Sequence, residues 1–451
     1  MNERIKNKKG YSTLTIVLAA GIIVALIAGY FLGGLGKVPE SDYKSLQQQY
    51  QNLATSVVPK SDYESLQQKY QNLTSVVQNL TALVQAQKIR AAFIYVGPIG
   101  DYGWSNAHDV GRRYVQNLFP WLETFYVESV SAADAPAVID SLITQKKVNV
   151  VFTTSFDFMD PTVEEAKKYP NVLFFHCSGY KRAPNLGTYF AELYQLYYLN
   201  GLMAGALTKT DKIGYVGAYP TPEVIRHINA FALGVKAVNP NAKVYVRWLL
   251  AWYNPDGARQ AAQALVSEGV DAIAYTEDSP AIIQFAEEQY KTTGKQIYVF
   301  SHYSPMYDYG PDVVVSGELV NWGVIYADIL MKIKEGIYNS TNLENVDYWW
   351  MLKERAVELG AKFGMPINPK FSDNLKSKFV QDPILGKISV YDLIFTRLKQ
   401  MSEETVPFDP FIGPIKAQNG TVMIPEGVRA DHDTLWNINW FVDNVVGSPT
   451  G

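Results

Sequence analysis

Five stretches of this 451-residue sequence gather the residue types from which a binding site is built. In Val96-Gly97-Pro98-Ile99-Gly100-Asp101-Tyr102-Gly103-Trp104-Ser105-Asn106 the glycines permit a tight turn, and Asp101, Ser105 and Asn106 offer hydrogen bonds beside the indole face of Trp104. Thr153 to Pro161 carries Phe156, Leu249 to Pro255 carries Trp252 and Tyr253, Tyr275 to Pro280 carries Glu277, Asp278 and Ser279, and Ser301-His302-Tyr303 carries a histidine. Aromatic faces beside amide, hydroxyl and carboxylate groups suit a flat ligand with a polar edge. Each polar residue also has a plainer role open to it. Asp160, Asn254 and Ser279 stand one or two residues before helical patterns, where N-capping alone explains them. His176 and Cys177 end an apolar strand and read as core, and a loop histidine facing water explains His302 as well as a ligand contact does.

Catalytic and metal chemistry finds less support. The histidines, His108, His176, His227, His302 and His432, show no metal-like spacing, so neither a metal nor a cofactor is expected. The loop Gly97 to Gly103 lacks the order of a phosphate-binding or dinucleotide loop, and no Gly-x-Ser-x-Gly elbow appears. Asp101 and Glu277 keep one enzymatic alternative open, an extracellular nucleoside or sugar hydrolase with two acids facing one bond. Forty basic residues against forty-four acidic ones give a net charge of -4, which argues against a nucleic-acid partner. The single cysteine, Cys177, excludes an intramolecular disulfide and any multi-cysteine metal site.

The loops need a scaffold, and an apolar content of 47% with 19% charged residues predicts two or three globular domains. After Lys88 short apolar runs alternate with helical patterns, the signature of parallel sheets with crossover helices. Strands are expected at 89–96, 124–129, 148–153, 172–176, 212–218, 243–250, 272–276, 296–301 and 313–318, with helices between them. The division suggests two similar lobes, 88–205 and 206–318, followed by a return to the first lobe and a C-terminal extension over 319–451. Ligands in such sheets bind beyond the carboxyl ends of the strands, where the five stretches fall. Within the extension, 337–415 shows no clear site, Asp347-Tyr348-Trp349-Trp350 is either core or cleft wall, and Asn419-Gly420 marks a hairpin turn.

Ahead of the body, residues 11–36 contain no charge, and Leu14 to Leu35 is long enough to cross a hydrocarbon layer of roughly 30 Å as a helix. Arg4, Lys6, Lys8 and Lys9 in residues 1–10 place the N-terminus in the cytoplasm and the body outside the cell. Retention as a single-pass anchor is the first expectation; cleavage after Gly10, as in a pilin-like signal, also leaves the apolar helix attached. Residues 37–87 hold a twenty-residue duplication with apolar residues at steps of three and four, among them Tyr63, Leu66, Tyr70 and Leu73. This predicts a coiled-coil stalk in two helices broken near 58–60, serving either as a homo-oligomer contact or as a monomeric spacer. Sequons at Asn72, Asn79, Asn339 and Asn419 lie on the outward side and are candidates for glycosylation.

Seven segments in order make the body resemble the basic membrane protein (BMP) family of solute-binding proteins, which includes purine-nucleoside receptors of ABC transporters. They are Ala91 to Trp104, Phe152 to Phe156, Lys212 to Gly217, Glu223 to Arg226, Asn229 to Gly234, Trp252 to Pro255 and Asn321 to Gly323, within a resemblance covering about 88 to 445. It implies a type I periplasmic-binding fold, two Rossmann-like lobes joined by three crossings and closing on a ligand, with an ABC permease as partner. It also implies that Asp101 and Trp104 contact a purine base, with Phe156 and Trp252 as further aromatic contacts. Nucleoside-binding members place an aspartate and a lysine on the ribose, and here those positions read His302 and Val320. A ribose without charged partners would hold its hydroxyls poorly, which makes a free base such as adenine, or a related heterocycle, at least as good a candidate as a nucleoside. The expected ligand is thus a small heterocycle, and the alternatives are a hydrolase or a stalked surface sensor.

Overall fold

The computed structural model describes residues 60–86, 88–100, 102–403 and 408–451. They belong to two compact units, one ending at Lys88 and one spanning Ile89–Gly451. Among the described residues of the first unit, helix α1 (Lys60–Ala86) runs for 27 residues, and Leu73 of the expected seam is exposed on it. The apolar run at 11–36 and the first copy of the duplication lie outside the described residues. Among the described residues no helix is long and apolar enough to cross a membrane.

The second unit alternates strand and helix: β1 (Ile89–Ile94), α2 (Trp104–Leu118), β2 (Leu122–Val127), α3 (Ala135–Lys146), β3 (Val150–Thr153), α4 (Met159–Lys168), β4 (Leu173–Cys177) and β5 (Leu186–Ala191). The chain continues through α5 (Tyr194–Leu207), β6 (Lys212–Gly217), α6 (Pro222–Val238), β7 (Lys243–Trp248), α7 (Pro255–Ser267), β8 (Ala272–Thr276), α8 (Ala281–Thr293), β9 (Tyr298–Ser301), β10 (Val314–Val320) and α9 (Trp322–Lys334). Then come β11 (Asp347–Trp350), β12 (Val357–Leu359), α10 (Pro369–Ser377), β13 (Phe379–Asp382), β14 (Gly386–Ser389), α11 (Val390–Glu403), β15 (Ile415–Lys416), β16 (Val422–Ile424), α12 (His432–Trp436) and β17 (Val445–Val446).

Two sheets result, in the orders β11-β5-β4-β3-β1-β2 and β12-β10-β9-β8-β6-β7-β17. Pairing is parallel except where β12 meets β10 antiparallel. The inner strands are apolar on both faces, as helices on both sides of a parallel sheet require; β3, β8 and β9 are buried along their whole length. Among the described residues the chain passes between the sheets three times, from β5 to β6, from β10 to β11 and from β11 to β12. All fourteen residues of α5 are buried. Gly201 and Gly234 let α5 and α6 touch backbone to backbone, because a Cβ on either would overlap a carbonyl oxygen of the other helix, at Phe231 or Tyr198.

The nine expected strands all form, with ends shifted by a few residues. Two that complete the first sheet were not foreseen. The sequence of β5, Leu-Gly-Thr-Tyr-Phe-Ala, is interrupted by Gly187, and the glycine is needed because Val346 approaches it so closely that a Cβ would lie 3.1 Å from that side chain. The undecided Asp347-Tyr348-Trp349-Trp350 is β11, paired in parallel with β5. The hairpin at Asn419-Gly420 joins β15 to β16, and a second hairpin, β13 with β14, stands in the stretch where no site was seen.

Candidate ligand-binding cleft

Strand order locates the site. In the first sheet β1 is flanked by β2 on one side and β3 on the other, and in the second β6 is flanked by β7 and β8. Loops leaving β1 and β3, and β6 and β8, therefore turn in opposite directions and open a crevice at their carboxyl ends. Backbone strain gathers in loops at the same ends of the two sheets. Among the described residues eight non-glycine residues have left-handed φ, and Tyr102, Ser129, Ser178, Leu250 and Tyr303 lie in the segments that follow β1, β2, β4, β7 and β9. Such conformations cost about 1–3 kcal/mol each and persist where surrounding packing imposes them. An open groove of about 800 Å³ runs instead along the edge strand β2 and α3, and none of the loop residues singled out in the sequence lines it.

The two lobes touch across the crevice. The Trp104 backbone N–H, at the start of α2, donates to Asp278 Oδ1 at 2.9 Å, and the Ser304 hydroxyl donates to the Gly103 carbonyl at 3.2 Å. Gly103 has no room for a side chain, since a Cβ would lie 2.6 Å from the Asp278 Cα. Tyr102 and Tyr309 meet edge to face at 5.5 Å. The Trp104 indole N–H donates to the Thr154 carbonyl at the end of β3, and its ring stands edge-on to Tyr303 at 5.3 Å and to Trp322 at 5.6 Å. His108 stacks on Trp322 at 4.2 Å, and burial holds its pKa well below 6.5.

The expected site residues fall into three groups. Trp104 and Asp278 meet directly, as just described. Phe156, Trp252 and Tyr253 stand at strand-end loops with ring surface exposed; Trp252 packs on Tyr219 at 5.3 Å, and its carbonyl accepts the Asp278 N–H at 2.9 Å. The remaining polar groups bond within their own lobe. Ser105 accepts the Gly97 N–H at 3.1 Å, and Asn106 donates to the Ile99 carbonyl at 2.9 Å, so both shape the first loop. Ser279 donates to Glu277 Oε1 at 2.8 Å and accepts the Ala281 N–H at 3.3 Å, which is its turn-forming role. His302 is buried, not a loop histidine facing water: its Nδ1 lies 2.7 Å from the Tyr197 hydroxyl. That hydroxyl also lies 2.9 Å from the Tyr275 carbonyl, and burial pushes the His302 pKa well down. Asp101 lies outside the described residues.

Of the acids at and near the cleft, Glu223, Glu318 and Glu192 were not singled out as site residues in the sequence, while Glu277 was. Glu223, in the first turn of α6 just after the β6 loop, accepts the Tyr303 hydroxyl at 2.9 Å on Oε1. Burial raises its pKa, against the opposing charges of His227 and Arg226. Burial also pushes the Cys177 thiol of β4 well up, and the Glu223 charge adds to that across the cleft. Glu277 and Glu318 are buried, each with one carboxyl oxygen, Oε2, lacking a hydrogen-bond partner, and burial moves both well above 4.5. Glu192, where the chain first leaves the first sheet, is equally buried but fully engaged. It accepts the Tyr194 N–H at 2.8 Å, Arg226 Nε at 2.9 Å and Nη2 at 2.5 Å, and His227 Nε2 at 3.0 Å. Burial alone would raise its pKa, but Arg226 and His227 outweigh that and bring it to about 2. A signal for Glu223 existed, an acid two residues into a helix that follows a switch-point strand, but the same position reads as ordinary dipole compensation.

The family model for PnrA-like ABC transporter substrate-binding proteins matches residues 88–393. A purine-binding protein of Brucella abortus is 36% identical over 361 residues, 80% of this chain and 93% of the relative. A protein of Haloferax volcanii named for glucose binding in an ABC transporter is 35% identical, over 64% of this chain and 71% of the relative. Among solved structures, an ABC transporter solute-binding protein from Aeropyrum pernix aligns with a TM-score of 0.58 at 15% identity, over 77% of this chain and 95% of that one. Another from Conexibacter woesei aligns with a TM-score of 0.54 at 17% identity, over 72% and 100%. These structural likenesses carry the two-lobed α/β fold alone.

Proposed function

The chain belongs to the Bmp family of PnrA-like ABC transporter substrate-binding proteins, and on that premise we propose that its cleft captures a free purine base of the adenine type and presents it to an ABC permease. Membership of a binding-protein family supports capture over hydrolysis by an acid pair. The observation that carries the choice of a base is the chemistry where the family resemblance puts ribose. His302 bonds inward to Tyr197, and Val320 is apolar and buried. A ribose diol there would lose its charged partners, at about 1–3 kcal/mol for each hydroxyl left unsatisfied. Trp104, Phe156 and Trp252 supply aromatic surface of the kind a flat heterocycle stacks on, and the Brucella relative is named for purine binding.

The apolar segment 11–36 tethers the protein to the membrane with its body outside the cell, and 37–87 serves as the stalk. A sugar is the second reading, because the Haloferax relative is named for glucose. A thermal-shift panel on the full-length protein separates the two, since a ligand that binds only the folded state must raise Tm. Adenine raising Tm by several degrees, with adenosine and glucose without effect, is the expected result. A shift with glucose and none with any purine sinks the purine assignment.

A further inference from the structure

Glu223 stands out among the cleft groups, since its two carboxyl oxygens are treated differently. Oε1 is held by the Tyr303 hydroxyl at 2.9 Å. Oε2 has no hydrogen bond or ion pair among the described residues, although the side chain is half-buried at the lobe-2 switch point. Tyr303, which holds the other oxygen, carries a left-handed φ of 59° and presses its ring against Trp104 of the opposite lobe. A buried tyrosine with a left-handed φ thus fixes one half of a carboxyl group and leaves the other half without a hydrogen bond among the described residues. Arg226 and His227, one turn further along α6, cannot neutralise it directly, because both bond to Glu192.

We propose that Glu223, positioned by Tyr303, selects the ligand by accepting the imidazole N–H of a free purine base on its Oε2. This rests on the purine reading and deepens it. Carboxylate oxygens only accept, so the group bound there must donate. Every free purine base has an N–H on its five-membered ring, and substitution at N9, as in a nucleoside, removes it. A half-buried carboxylate facing a ligand without that proton is left unpaired, and sites built around one hydrogen bond reject analogues lacking it by factors of roughly 10⁴ at best. Selection against nucleosides then has two sources, the missing ribose partners and the donor that Glu223 requires.

The test is calorimetric titration of the full-length protein and its Glu223→Ala, Glu223→Gln and Tyr303→Phe variants with adenine and with 9-methyladenine. The wild type is expected to prefer adenine by about 100-fold or more. Glu223→Ala removes the acceptor and opens space for the methyl group, so the preference falls below about tenfold, with adenine weakened and 9-methyladenine unchanged or improved. Glu223→Gln, which keeps an acceptor of the same shape, weakens adenine by only about tenfold. Tyr303→Phe gives an intermediate loss of preference. A merely structural role would weaken both ligands together, and that result, or full preference retained in Glu223→Ala, overturns the assignment while leaving the purine reading intact. If the wild type binds neither compound, the purine reading itself fails and the role of Glu223 fails with it.

Discussion

Two buried carboxyl sites in this molecule are solved in opposite ways. Glu192 receives four donors, from Tyr194, Arg226 and His227, and is held ionised with a pKa of about 2. Glu318, also without exposed surface, accepts from Asn200 through Oε1, has no hydrogen bond on Oε2, which lies 3.6 Å from His302 Nδ1, and is pushed well above 4.5 by burial. Depth of burial is the same, so it is the supply of donors that decides between charge and neutrality. The well-supplied site lies where the crossings gather. The Glu192 N–H bonds to the Trp350 carbonyl of β11, and Arg226 reaches the Leu435 carbonyl of α12 while lying over Trp349 at 4.9 Å. The poorly supplied acids, Glu318 and Glu277, lie near the carboxyl ends of strands in the second sheet, where the proposed cleft opens. The carboxyl group of the joint is fully supplied with donors, and the two near the cleft are not.

Arg226→Met attacks the joint most severely. It strands the Glu192 charge in a site with no exposed surface, and a loss of about 3–5 kcal/mol in unfolding free energy is expected by urea titration. The pH dependence sharpens the contrast. Because the Glu192 pKa is depressed from 4.5 to about 2, its contribution, about 3 kcal/mol, is fully present above pH 4.5 and is lost as pH falls through about 2. Glu192→Gln is therefore most damaging above pH 4.5 and converges on the wild type in acid. Glu318 has the opposite sign: its raised pKa gives stability present below pH 4.5 and lost as pH rises toward its folded-state value.

Gly103→Ala tests the cleft without touching the joint. The added methyl group would lie 2.6 Å from the Asp278 Cα, so the contact between the lobes must open and the melting temperature without ligand should fall by a few degrees. Ligand affinity should fall by about 10- to 100-fold, because closure contributes the contacts that hold the ligand. The smallest effect is expected for Glu318→Gln. Replacing a carboxyl that is already neutral with an amide of the same shape should change stability by less than about 1 kcal/mol at pH 5, with the variant gaining on the wild type as pH rises. Equal losses for Glu192→Gln and Glu318→Gln at pH 7 would collapse the comparison.

The sequence disclosed these sites unevenly. Ala272–Thr276 was legible as a strand because its five residues are apolar or β-branched and buried on both faces. Trp104 and Asp278 were legible as candidates by type, but not as partners, since the bond between them joins residues 174 positions apart. His302 looked like a loop group because three polar or aromatic residues follow one another there. Its inward turn depends on Tyr197, which sits on α5 in a helix that reads as plain core. Glu192, Arg226 and His227 carried no local signal, because a buried charge is tolerated only through partners that tertiary folding brings together.

The most direct measurement of the central claim is a crystal structure of the protein grown with adenine. The account predicts one flat ring between the carboxyl ends of β1 and β3 and those of β6 and β8, within reach of Trp104, with its imidazole N–H on Glu223. A cleft closed on a sugar, or adenine seated in the groove along β2 and α3 with the cleft unoccupied, would contradict it.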